Sequence, residues 1–94
     1  MNYIFPATKW AKIDTNLVEQ ARSIELEFQE FLNEEPETEE EIMELLDLIQ
    51  SCETYLRIIE ARGCDIDAAF EKVKQKNEAR GYYDTEIPEL FNHS

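Results

Sequence analysis

Basic residues are scarce in this chain: 9 Lys and Arg stand against 22 Asp and Glu, for a net charge of −13. Binding a phosphate backbone needs clustered cations, so the balance argues against nucleic acid and against an anionic membrane as partners. Histidine occurs once, at His93, and cysteine only at Cys52 and Cys64. Those three residues do not form a zinc ligand set of known spacing. No Glu-x-x-His pair occurs, which removes the carboxylate di-iron bundle. No apolar run approaches the ~20 residues that span a bilayer. The opening run Tyr3-Ile4-Phe5 stops at Pro6, too short for the apolar core of a secretory signal. A cytoplasmic, reducing setting with free thiols is therefore expected. No segment alternates as a half-buried strand would, and no internal repeat is present.

What is present is helical pattern. The 94 residues, 43% of them hydrophobic, suit one domain over 1–94 with a limited core. Residues 1–13 are expected to be irregular or a short helical turn. Asp14, Thr15 and Asn16 offer N-cap side chains, and Leu17, Ala21, Ile24, Phe28, Phe31 and Leu32 form one helical stripe ending near Asn33. Pro36 separates this helix from the next. Thr38-Glu39-Glu40-Glu41 reads as a capping box, and the helix it opens runs to about Arg62, with Gly63 as its cap. Its apolar residues cover well over half its circumference, which predicts a central helix packed on more than one side. Asp65 or Asp67 opens a third helix with the stripe Ile66, Ala69, Phe70 and Val73, ended by Gly81. The tail, 82–94, could dock through Tyr82, Tyr83, Ile87, Leu90 and Phe91. The expected fold class is all-α: a small bundle of three main helices, completed by self-association because two short neighbours cannot cover the central helix.

Two carboxylate pairs sit at helical spacing. Glu27 and Glu30 lie three apart at the edge of the first stripe. Glu44 and Asp47 lie three apart in the narrow column that the central helix leaves free of apolar residues, together with Ser51. Like charges so placed repel, and a cation relieves the repulsion. On adjacent antiparallel helices the two pairs could converge on Mg²⁺, with Mn²⁺ as its substitute, since these ions take oxygen ligands. With 22 acidic residues in the chain, a solvated acidic face is the competing explanation. On the third helix the apolar stripe continues onto Asn77 and then Arg80, with Lys76 beside them. Either the helix leaves the core there, or these residues bind phosphate. Trp10 could stack on a base or serve as a core anchor.

The order Glu27-Phe28-Gln29-Glu30, 13 residues, then Glu44-Leu45-Leu46-Asp47, followed by a glycine turn and a helix ending Lys-Gln-Lys-Asn-Glu-Ala-Arg-Gly, resembles the all-α MazG-like nucleotide pyrophosphohydrolases over roughly residues 17–83. The resemblance implies Mg²⁺-dependent hydrolysis of a nucleoside triphosphate to the monophosphate and pyrophosphate. Glu27, Glu30, Glu44 and Asp47 would serve as metal ligands and catalytic groups, Lys76, Asn77 and Arg80 as phosphate ligands, and Trp10 as a base contact. A dimer or tetramer of identical chains is implied too. The first motif differs from the family pattern, which often doubles the glutamate and places small residues where this chain has Phe28 and Phe31. The alternative from another class is a non-catalytic acidic protein whose charged face binds a basic partner or imitates DNA charge.

Overall fold

The computed structural model describes residues 1–12 and 15–83, and all its regular elements are helical. A 3-10 turn, Trp10–Lys12, precedes α1, Leu17–Leu32, α2, Glu39–Ala61, and α3, Ile66–Ala79. No helix among the described residues is long and apolar enough to cross a membrane. The expected docking of Ile87, Leu90 and Phe91 lies outside the described residues, as does Asp14. The chain divides into two compact units, Met1–Cys64 and Asp65–Ser94.

Local chemistry sets the helix ends. The Asn16 side chain accepts the Val18 and Glu19 amides, satisfying donors that α1 cannot pair within itself. Thr38 Oγ1 accepts the Glu41 amide at 3.2 Å. The Glu41 carboxylate does not close the expected box on Thr38. It reaches one residue further back, to the Glu37 amide at 3.0 Å, and Glu37 takes a left-handed φ of 66°. Gly63, at φ 97°, donates to the Glu60 carbonyl while the Cys64 amide reaches Ile59, the paired bonds of a Schellman end. Gly81 repeats the arrangement at φ 74°, with its amide on Glu78 and the Tyr82 amide on Asn77.

In the first unit α1 packs against α2. The shielded positions of α1 are Leu17, Gln20, Ile24, Glu27, Phe31 and Glu34 just beyond it, and those in the first half of α2 include Glu41, Glu44 and Leu48. The seam therefore holds polar side chains where the apolar stripes were expected. Ala21, Phe28 and Leu32 of the α1 stripe are exposed, and so are Ile42, Met43, Leu45 and Leu46 of α2. The first half of the central helix is thus not covered on its apolar sides. Among the described residues Ile58 is the one large side chain that is fully buried, at 1% exposure.

The second half of α2 carries the N-terminal segment. Glu53, buried, accepts the amides of Ile4 at 2.8 Å and Phe5 at 2.9 Å. One turn on, Arg57 donates to the Phe5 carbonyl at 2.7 Å and lies 4.1 Å from the centre of the Tyr3 ring. A buried carboxylate is costly unless hydrogen-bonded, and two backbone amides supply its partners. Gln20 ties the hairpin across its middle by donating to the Ser51 carbonyl at 3.2 Å.

In the second unit Asp65 caps α3 by accepting the Ala68 amide at 3.0 Å. Ile66 is buried, whereas Ala69, Phe70 and Val73 are exposed, so the α3 stripe is shielded only at its first residue.

Candidate metal centre

The antiparallel hairpin brings the middle of α1 to the first half of α2. Glu27, Glu44 and Asp47 meet there, each offering an oxygen, all within 4.8 Å of one another. Glu30 is exposed and is not part of that trio, yet its charge acts on both Glu27 and Glu44. Glu27 and Glu44 each bury Oε2 with no hydrogen-bond partner. An orphaned buried oxygen costs free energy in any stable structure, and two on converging acids form a donor set lacking its acceptor of electron density.

Electrostatics agree with the geometry. Glu27 is pushed above the usual glutamate range, first by burial, then by repulsion from Glu30, Asp47 and Glu44. Glu44 rises for the same reasons, burial first, then repulsion from Glu30 and Asp47, then a side-chain hydrogen bond with Glu30, with Glu34 adding a smaller push. Both acids therefore hold protons more readily than an isolated side chain, and a divalent cation is the other species that would relieve them. Three carboxylate oxygens from two helices suit a hard oxygen-seeking ion, and among the described residues no nitrogen or sulfur ligand joins the trio.

A cleft of about 390 Å³ opens beside this cluster, lined in part by Glu27, Ser23, Gln20, Ser51 and Lys12. A second pocket, of about 200 Å³, shares Thr8 and Thr54 with it and is walled by Trp10, Arg57 and Glu60. Trp10 is 58% exposed, so among the described residues it is not a buried core anchor. Lys76, Asn77 and Arg80 belong to the second unit. Asn77 is half-buried and donates to the Tyr83 hydroxyl at 3.3 Å, and Arg80 is the C-cap of α3, past its last full helical residue.

Lys12, Gln20, Thr54 and the Glu53–Arg57 pair were not singled out by sequence. The spacing of Gln20, Glu27 and Glu34 by sevens, answered by Glu44 and Ser51, is the signal of a polar seam that could have found the first of the cleft residues.

Fold and site together define a helical hairpin with a carboxylate cluster in its seam. No family model matches the chain, and no curated protein or solved structure matches it.

The raised acids give stability a definite pH dependence. A carboxyl raised on folding means that the folded chain keeps protons the unfolded chain has released. The contribution of Glu27 and Glu44 is therefore most favourable at low pH. It is lost as pH rises from the ordinary carboxylate range, about 4 to 5, through the raised values. Metal-free protein should lose thermal stability over that rise, and Mg²⁺ at neutral pH should restore it. Glu44→Gln should flatten the pH dependence and abolish the Mg²⁺ effect. Melting curves across pH, with chelator or with Mg²⁺, measure both. A melting temperature at neutral pH that is indifferent to Mg²⁺ would count against the site.

Proposed function

We propose that this chain is a Mg²⁺-dependent hydrolase that splits a nucleoside triphosphate into the monophosphate and pyrophosphate. The observation that carries the reading is the trio Glu27, Glu44 and Asp47, with two of its buried oxygens lacking partners. The resemblance of residues 17–83 to the MazG-like pyrophosphohydrolases supplies the reaction class. Glu27, Glu44 and Asp47 would hold the metal. When bound, the ion supplies positive charge for the phosphate oxygens and the departing pyrophosphate. Glu30, exposed at the edge of the trio, is available to orient a water and take its proton. Lys12 lines the adjoining cleft and offers a cation for the triphosphate. The phosphate-binding part given to Lys76, Asn77 and Arg80 rests on the sequence resemblance. Positioning and charge carry such a reaction, and no covalent nucleophile is needed. Burial raises the Cys52 thiol, which keeps it protonated and unreactive.

A panel of nucleoside triphosphates with Mg²⁺ should show release of pyrophosphate and not orthophosphate. Glu44→Gln and Asp47→Asn should each lower turnover about a hundredfold or more while circular dichroism keeps its helical signal. If no triphosphate is hydrolysed with Mg²⁺ or Mn²⁺, the acidic interaction reading replaces this one.

We also propose that the chain works as a homo-oligomer, a dimer or a tetramer, in the cytoplasm. The support is the inverted hairpin: Leu26, Leu32, Ile42 and Met43 are each more than half exposed, while carboxylates occupy the seam. Large apolar side chains left exposed favour burial against another chain. Light scattering should return a multiple of the 11.1 kDa chain mass at micromolar concentration. A clean monomer would contradict the proposal.

A further inference from the structure

The first half of α2 and the body of α3 carry apolar ridges of the same spacing. Ile42, Leu45, Leu46 and Ile49 stand at i, i+3, i+4 and i+7 on α2, and Ile66, Ala69, Phe70 and Val73 repeat that spacing on α3. Each ridge runs about 10 Å along its helix. Ile42, Leu45 and Leu46 are exposed, and so are Ala69, Phe70 and Val73. α3 has 14 residues, and a lone helix of that length is marginal in water unless its apolar face is packed. It is the only helix among the described residues of its unit, so that unit offers no second helix to cover the face.

Charge decides which surface suits the α2 ridge. Residues 39–50 hold five acids, Glu39, Glu40, Glu41, Glu44 and Asp47, and no Lys or Arg. Two such faces laid against each other would repel. α3 with its C-cap gathers Lys72, Lys74, Lys76 and Arg80, four of the nine basic residues of the chain, against the three acids Asp67, Glu71 and Glu78. Lys74 is engaged within α3, by Glu71 at 3.4 Å and near the Phe70 ring at 5.7 Å, whereas Lys76 and Arg80 stand at its C-terminal end. In an antiparallel pair the basic end of α3 meets the acidic first turn of α2, and Phe70 and Val73 meet Leu45, Leu46 and Ile42. The helix dipoles favour the same orientation.

We propose that α3 of a second copy of this chain docks along the α2 ridge that begins at Ile42. In a two-fold dimer each copy gives one α3 and receives one, so both contacts form at once and recruit no third chain. The inference rests on the homo-oligomer reading and adds which surfaces meet. It is independent of metal binding and of hydrolysis.

Sedimentation of the full chain and of two variants at micromolar concentration tests it. Phe70→Glu and Leu46→Lys each put a charge on an exposed ridge position, and each should raise the dissociation constant of the dimer about a hundredfold or more. An equimolar mixture of the two should associate again. One contact of the mixed dimer is intact, and the other opposes two introduced charges of opposite sign. Circular dichroism shows that each variant keeps its helices. If Phe70→Glu leaves association unchanged, copies meet through their hairpins and the proposal is overturned. It is overturned equally if Leu46→Lys leaves association unchanged, or if the mixture stays monomeric. In those three cases an associating parent chain keeps the homo-oligomer reading and loses only the assigned surfaces. A monomeric parent chain removes both.

Discussion

The structure depends on carboxylates held against one another in the seam between α1 and α2. Like charges in a half-buried seam repel, and burial adds to the penalty by removing water. Here the penalty falls on Glu27 and Glu44, both raised above their ordinary range, each with one oxygen unpaired. A chain that placed apolar residues at those positions would gain stability at no other cost. The acids are kept in the seam while Ile42, Met43, Leu45 and Leu46 are exposed.

The other end of the hairpin is organised by a different polar group. Glu53 is buried in the second half of α2, and its two amide partners fix the N-terminal segment across the helix. That segment supplies Thr8, Trp10 and Lys12 to the two adjoining pockets. The hairpin is therefore acidic at one end and walled by the N-terminal segment at the other, with Gln20 bonded to Ser51 between them.

Helix ends were legible in the sequence because their causes are local. Asn16, Thr38, Gly63 and Gly81 act within a turn of where they stand, and each does what its residue type predicts. Spacing expected Glu27, Glu30, Glu44 and Asp47 to converge; Glu27, Glu44 and Asp47 do so, while Glu30 is exposed and outside the trio. The covered face was not legible. Periodicity places apolar stripes inward, and here Phe28 and Leu32 are exposed while Gln20 is buried. That preference can be reversed by partners or ligands that a single chain does not contain. The anchoring of the N-terminal segment left no pattern either. Glu53 binds backbone amides 48 and 49 residues away, and amides carry no side-chain signature.

The claim on which the account turns is that the seam binds a divalent cation. Electron paramagnetic resonance of Mn²⁺ measures this directly, because the free ion gives a sharp signal that bound ion loses. The account predicts a saturable loss of that signal on adding the chain, recovery on competition with Mg²⁺, and little loss with a Glu27→Gln, Glu44→Gln double variant of unchanged helix content. An undiminished free-ion signal at millimolar chain and metal would contradict it.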